Sequence, residues 1–463
     1  MRAKSEMRPY QDRIATTLYE NDEAMVVLRP GGGKTITALT AIEELLRDKV
    51  IRHALVIAPK RVATVVWPDE IDNWSHASAL RYAVLDQAPD YRGTLLKLAP
   101  KRDVTLCGID LVQWLVEHLN LLPDDHPLFD LLVIDEVSRL RNPGGKRAKA
   151  LLKIAPRFRM VWGLTGTLRA PGPLDLFMPS AVVTRGKLWG KSFYGWRKRN
   201  FYPVDFQGYD WQPLPGAEDR LNAEIAPLIT TVKDGELLQP EPTIVIDRVQ
   251  LPTGVRHQYD TMSRKLVAEA GGKTIVAAST GVATGKMAQI ANGFMYNEDK
   301  TVNRMHDAKR EWLEDVIENA TGPVLLVYDF NEDLVMLRDA LGEDLPYLGA
   351  GVSDAQALHN IDRWNGRMLP FMALHPASGG HGLNLQHGGA DMAWLAPTWS
   401  PEYWEQTIAR LNRSGQKRQV IVRVCVADNT VDDLKLDRVH HKMTAQEAFE
   451  GYLRRWQTRD RTA

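Results

Sequence analysis

Short apolar runs rich in β-branched residues recur along the chain and alternate with segments of helical spacing. In the first part they are EAMVVL (23–28), HALVIAP (53–59), VTLCGI (104–109), FDLLVID (129–135) and MVWGLTG (160–166). A second series follows in PVLLVYD (323–329), PFMALHP (370–376), MAWLAP (392–397) and VIVRVCV (420–426). Runs that are apolar at nearly every position suit strands of a parallel sheet covered by helices on both faces. Two such series predict an α/β protein with two parallel-sheet domains in tandem. Between them the texture changes. RGKLWGKSFYGWRKRNFYPVDFQGYDW (185–211) is aromatic, basic and punctuated by glycine, whereas RHQYDTMSRKLVAEA (256–270) and GKMAQIANGFMY (285–296) read as helices. The expected organisation is a first domain over 1–236, with an aromatic and basic insertion at 185–235, and a second over 237–463, with a helical insertion at 255–300. LLQPEPT (237–243) is the expected crossing point.

At 463 residues the chain is too long for one ordinary core, which agrees with two domains. Lys+Arg and Asp+Glu are equal at 58 each, so net charge neither favours nor excludes nucleic acid and any binding surface must come from local clustering. Cys107 and Cys425 are far apart and both inside apolar runs, and are expected as buried thiols in a reducing compartment. No stretch approaches ~18 uninterrupted apolar residues. MRAKSEMRPY lacks the apolar centre of a signal peptide, so a cytoplasmic protein that does not engage a membrane is expected.

The same tetrapeptide, GGKT, occurs in LRPGGGKTITALT (28–40) and in EAGGKTIVAAST (269–280). The first has the context that phosphate binding needs: a strand ends near Leu28, a glycine run follows, and a helix starts at Lys34–Thr35. Gly31, Gly32 and Gly33 carry no Cβ, so successive backbone N–H groups can turn inward around phosphate oxygens, helped by the helix N-terminus. Lys34 would reach the β- and γ-phosphates of ATP and Thr35 would bind Mg²⁺. Leu28 stands where the full phosphate-loop pattern has glycine, and a glycine-rich turn before an ordinary helix is the alternative. A hydrolytic site also needs a carboxylate at the end of a neighbouring strand, and FDLLVIDEVSRLRNP supplies it. Asp135 would hold Mg²⁺ through water and Glu136 would polarise the attacking water.

Charge stabilisation is sought in WSPEYWEQTIARLNRSGQ (399–416), with Ser400 as N-cap, Pro401 at the first helical position and Gly415 as stop. On that helix Gln406, Arg410 and Arg413 fall at i, i+4 and i+7 and share a face, while Trp404, Ile408 and Leu411 turn to the core. The polar stripe is either a solvated face or a catalytic one. It would reach the nucleotide only if the two sheets face each other.

These segments, taken in order, resemble superfamily 2 helicase-like ATPases of the Swi/Snf branch. PGGGKT is similar to motif I, LVIAPKRVATVVWPDEIDNW (55–74) to motif Ia, DEVSRLRNPGGKRAKAL (135–151) to motif II with its downstream signature, and LTGTL (164–168) to motif III. VLLVYDF resembles motif IV, ASGGHGLNL (377–385) motif V, and EQTIARLNRSGQ motif VI with its R-x-G-Q ending. Ser138, Arg141 and Leu168 stand where that branch has histidine, lysine and proline. The resemblance implies two RecA-like domains, a nucleic-acid-dependent ATPase using ATP and Mg²⁺, Gln11 of RPYQ as an adenine contact, and Gly382 of motif V as a further nucleotide contact. It places the second GGKT in a helical insertion, so Lys273 is expected to take no part in ATP binding.

The resemblance further implies double-stranded DNA, tracked without stable strand separation; a strand-separating DNA or RNA helicase and a nucleotide-switched binding module remain as alternatives. Lys60 and Arg61, after a strand end, are candidates for phosphate contacts. KLWGKSFYGWRKRNFY (187–202) sets Arg197, Lys198 and Arg199 among six aromatics, which form either a stacking and backbone-binding surface or the insertion's own small core. Trp399 either contacts a DNA strand or caps the following helix. With short ends and no nuclease, zinc or chromatin-reading module, a compact bacterial or phage-type core acting as a monomer is expected.

Overall fold

The computed structural model describes residues 1–85, 93, 96, 101–121, 128–166, 172–204, 211–233, 236, 240–270, 277–297, 299, 301–379, 383–413 and 415–441, with the backbone alone at 265–270 and 277–283. The chain divides into two compact units, Met1–Leu238 and Gln239–Ala463.

The first unit is built on a seven-stranded sheet. Its strands are β1 (Glu23–Val27), β2 (Ala54–Ala58), β3 (Tyr82–Val84), β4 (Val104–Gly108), β5 (Leu131–Asp135), β6 (Met160–Thr165) and, after the hairpin β7 (Phe201–Pro203) and β8 (Trp211–Pro213), β9 (Ile229–Thr231). The order is β3-β4-β2-β5-β6-β1-β9 and every pairing is parallel. Strands β2, β4, β5 and β6 are buried at every residue. Alternate side chains feed two cores: Met25, Leu55 and Ile57 join one, Ala24, Val26 and Val56 the other. This is the period-two signature of a sheet covered on both faces. Helices α1 (Pro9–Glu20) and α2 (Lys34–Arg47) pack together on the second of these faces, where α3 (Trp67–Asn73) also lies.

The second unit holds a six-stranded parallel sheet of order β10-β17-β16-β13-β15-β14. Its strands are β10 (Thr243–Val249), β13 (Val324–Val327), β14 (Tyr347–Leu348), β15 (Phe371–Leu374), β16 (Asp391–Trp394) and β17 (Ile421–Ala427), and the hairpin β11 (Phe294–Tyr296) and β12 (Val302–Arg304) lies outside it. All nine apolar runs form strands. Four further sheet strands did not stand out in the sequence: β3, β9 and β14 are only two or three residues long, and β10 (TIVIDRV) is half-covered at the sheet edge, with polar Asp247 and Arg248 toward its end. β10 pairs with β17 over its whole length, so this segment opens the second sheet and is not a bare linker.

Helices Thr253–Ala270 and Ala277–Ala291 form the insertion. They carry Tyr259, Met287 and Ile290 into a separate core with Val431 and Leu434 of the helix Val431–His441. Residues 271–274, the second GGKT, lie outside the described residues. A buried ion network ties these parts together: Lys309 Nζ lies 2.6 Å from Asp432 Oδ2 and donates to Asn292 Oδ1, and Asn292 donates in turn to Asp333. Cys107 and Cys425 are buried thiols. Among the described residues no helix is long and apolar enough to cross a membrane.

Candidate nucleotide site

Register sets the site. β6 lies between β1 and β5, with Val27 opposite Thr165 and Asp135 opposite Leu164. The glycine loop after β1 and the carboxylate ending β5 therefore leave the same edge of the sheet, about 10 Å apart at two strand spacings. This carboxyl edge is where parallel α/β sheets collect ligands.

The loop is held in shape by glycine and by α1. Gly31 and Gly33 have φ of 80° and 83°, and Gly33 is the N-cap of α2. A Cβ built on Gly33 would overlap Gln11 Nε2. Two side chains of α1 hold the Gly32 carbonyl: Tyr10 Oη donates at 2.9 Å and Gln11 Nε2 at 3.0 Å. Gln11 Oε1 accepts from the Arg8 N–H at 2.9 Å, so the buried amide bridges the start of α1 and the loop. Lys34 Nζ donates to the Leu28 carbonyl at 3.2 Å and stands 3.8 Å from Glu136 Oε1. Thr35 follows in the first turn of α2.

Asp135 is 4% exposed and accepts the Trp67 indole N–H on Oδ2 at 3.0 Å. Burial, and next the charge of Glu136, push its carboxyl up to about 6, against the pull of Lys34 and the indole. Glu136 adopts the left-handed conformation, with φ 58° and ψ 54°. A non-glycine residue there stores on the order of 1–2 kcal/mol. The kink ends β5 abruptly and leaves the Glu136 carboxylate beside Lys34 rather than continuing the strand's alternation.

In the second unit Ser400 Oγ accepts the Tyr403 N–H as N-cap, and Pro401 opens the helix. The helix ends at Ile408, so Arg410 and Arg413 are not on it, contrary to the expectation from spacing. Arg410 N–H bonds back to Thr407 and Leu411 N–H to Ile408, three-residue links that tighten the chain into turns and drive Leu411 into the core. The two arginines nevertheless converge: Arg410 Nη1 and Arg413 Nη1 donate to the Leu383 carbonyl at 3.3 and 3.1 Å. Gln406 and Arg410 are buried, which excludes a solvated stripe, and Gln406 donates to Glu402 Oε1. Gly382 lies outside the described residues.

The candidate nucleic-acid residues separate. Lys60 is exposed and Arg61 half-buried after the end of β2. Lys198 and Arg199 are exposed, whereas the Arg197 guanidinium lies 4.0 Å from the Trp211 ring centroid. Trp189, Trp196 and Phe201 are in the first unit's core. Trp399 is partly buried against the insertion core and faces the buried Lys435 ammonium at 5.9 Å. Trp67, Tyr10 and Gln416 were missed in the sequence. Gln416 Nε2 donates to the carbonyls of Gln386 and Gly389, closing the loop before β16, and only the R-x-G-Q spacing hinted at it.

A family model described as the SNF2-related domain matches residues 13–274, more than half of the chain. The chain belongs to the SNF2-related family. It is accordingly a helicase-like ATPase of superfamily 2, and its two parallel sheets are the two RecA-like domains of that class. A protein p41 of Acyrthosiphon pisum secondary endosymbiont phage 1 is 31% identical over 97% of this chain and 98% of its own length. The DNA annealing helicase and endonuclease ZRANB3 of Homo sapiens is 22% identical over 95% of this chain, and the DNA repair and recombination protein RAD54-like of Drosophila virilis 21% over 94%. This chain spans only 40% and 62% of those two proteins. A Sulfolobus solfataricus SWI2/SNF2 ATPase core solved with dsDNA is 19% identical, with 95% of this chain and 91% of that one covered and a TM-score of 0.45.

Proposed function

We propose that this chain is a motor that hydrolyses ATP while tracking along double-stranded DNA without stable strand separation. The observation that carries it is the meeting of the glycine loop, Lys34, Asp135 and Glu136 at one sheet edge. These residues fit a nucleotide with Mg²⁺. The loop turns at Gly31 and Gly33 through positive φ, and the buried Asp135 carboxyl is held partly against ionisation by burial and by the charge of Glu136, which a bound cation would offset. Mg²⁺, when bound, supplies charge neutralisation of the β- and γ-phosphates. Thr35 and Asp135 are the residues to hold it. Lys34 exchanges its weak carbonyl partner for phosphate oxygens, and the loop N–H groups donate to the same anion. Glu136, set apart from Asp135 by its left-handed backbone, orients the attacking water.

In the second unit, Gln406, Arg410 and Arg413 carry that unit's share of hydrolysis, with Gly382 as a further nucleotide contact. Lys60, Arg61, Lys198 and Arg199 offer charge to DNA phosphates, and Arg197 and Trp399 complete the set. Relatives named for DNA annealing, repair and recombination support DNA as the polymer.

ATP turnover measured with duplex DNA, single strands, RNA and no polymer tests this. Duplex should stimulate most, and displacement of a third strand from a triplex should require ATP. Glu136→Gln and Arg413→Ala should each lower turnover by roughly 10³-fold or more, by analogy with transition-state arginines. If neither matters, the site assignment is wrong.

A further inference from the structure

The helix Phe193–Asn200 and the β7–β8 hairpin hold an aromatic and cationic surface that the nucleotide site does not use. Between 185 and 204 six residues are basic and none is acidic. Arg197 lies over three rings, with its guanidinium carbon 4.0 Å from the Trp211 centroid, 5.4 Å from Phe193 and 5.5 Å from Tyr194. Among the described residues its Nε is buried without a hydrogen-bond partner and no carboxylate pairs with it. Rings flank this cation, and none of them neutralises it. Phe193 and Trp211 pack on the first unit's core, so the base of the stack is rigid. Its outer member is different: Tyr194 is 69% exposed. Lys198, one helical turn on, is exposed on the same face. Tyr202 does not belong to this surface. It pairs with Gln212, whereas Trp211 pairs with Pro203, and alternation puts Tyr202 on the far face of the hairpin.

We infer that Tyr194, Arg197 and Lys198 form a binding site for an unpaired nucleotide of single-stranded DNA, with the base on the Tyr194 ring and the phosphate on the two cations. A base inside a duplex is already stacked on both faces, so an exposed ring beside cations that no described carboxylate pairs selects an unstacked base. An acidic protein surface would satisfy the charges and leave the Tyr194 face unused. The inference rests on the reading of the chain as a DNA motor, and narrows its substrate to DNA with a duplex and an adjoining single-stranded stretch.

The test is an anisotropy titration of a labelled oligo-dT with the full chain. Tyr194→Ala should weaken binding about tenfold, the loss of one base stack, and Tyr194→Phe should restore it. An abasic strand of equal length should bind the native protein about tenfold more weakly than oligo-dT and be indifferent to Tyr194→Ala. A blunt duplex should change less than about twofold with that substitution. The inference fails if the native protein does not prefer oligo-dT to the abasic strand, or if Tyr194→Ala leaves oligo-dT binding unaltered. It also fails if oligo-dT and duplex affinities fall together. Duplex stimulation of the native protein's ATP turnover is scored separately: without it the motor reading fails, whatever the oligonucleotide result.

Discussion

Replacing Asp135 by asparagine should stabilise the nucleotide-free protein while it abolishes turnover. The carboxyl is buried beside Glu136, and its ionisation is pushed from 3.8 to about 6. That is about two units, or roughly 3 kcal/mol at 1.36 kcal/mol per unit, of folding free energy lost at neutral pH. The asparagine amide would keep an acceptor for the Trp67 indole and remove the charge. The sign is fixed by the direction of the shift. Below pH ~4 the carboxyl is neutral folded and unfolded, and nothing is lost. From there to about 6 only the unfolded chain ionises, so stability falls as pH rises, and above 6 the loss is constant. The advantage of Asp135→Asn should therefore be roughly 3 kcal/mol at pH 8, about half that at pH 5, and none below pH ~4.

Denaturant or thermal unfolding of the two proteins, in chelator and without nucleotide, measures the difference, and titrating groups remote from Asp135 cancel between them. For a unit of this length each kcal/mol should move the midpoint by roughly 2–4 °C. Equal stability at pH 8, or a gap that does not shrink at pH 5, would refute the reasoning. It would mean that the carboxylate is solvated or paired by something other than Lys34 and Trp67.

Trp67→Phe removes the indole donor from Asp135, so Asp135→Asn should stabilise that variant more than it stabilises the native protein; a double-mutant cycle by denaturant unfolding reads the surplus as about 1 kcal/mol or more. Gly33→Ala forces a side chain into the left-handed region and against Gln11, and should weaken nucleotide binding at least tenfold in a calorimetric titration, whereas Lys273→Ala should leave it unchanged. Lys309→Met strands the buried Asp432 carboxylate and should cost ~3–5 kcal/mol, with Lys309→Met/Asp432→Leu recovering much of that in the same unfolding assay.

What was legible in the sequence follows from which forces act locally. Strands covered on both faces are apolar at nearly every position, so all nine showed as runs, β17 despite its exposed Arg423; β10 did not, because one edge of a sheet needs only partial cover and tolerates Asp247 and Arg248. The glycine loop was legible because its requirement is conformational and adjacent: glycine at positive φ before a helix start. The end of the helix at Ile408 was not, since a seven-residue spacing of Gln406, Arg410 and Arg413 fits a helix, and only tertiary pull on Leu411 favours turns. Trp67 was illegible for a further reason. It is 68 positions from Asp135, in a segment that reads as an ordinary amphipathic helix, and its bond exists only because β2 and β5 are neighbours. Both kinds of information meet at Asp135. Its strand and its acidity were plain in the letters, but its raised ionisation comes from burial and then from the charge of Glu136, against the pull of Lys34 and of an indole from another element. The charge state on which the proposed metal binding depends is therefore a property of the fold, and it is the quantity that Asp135→Asn measures.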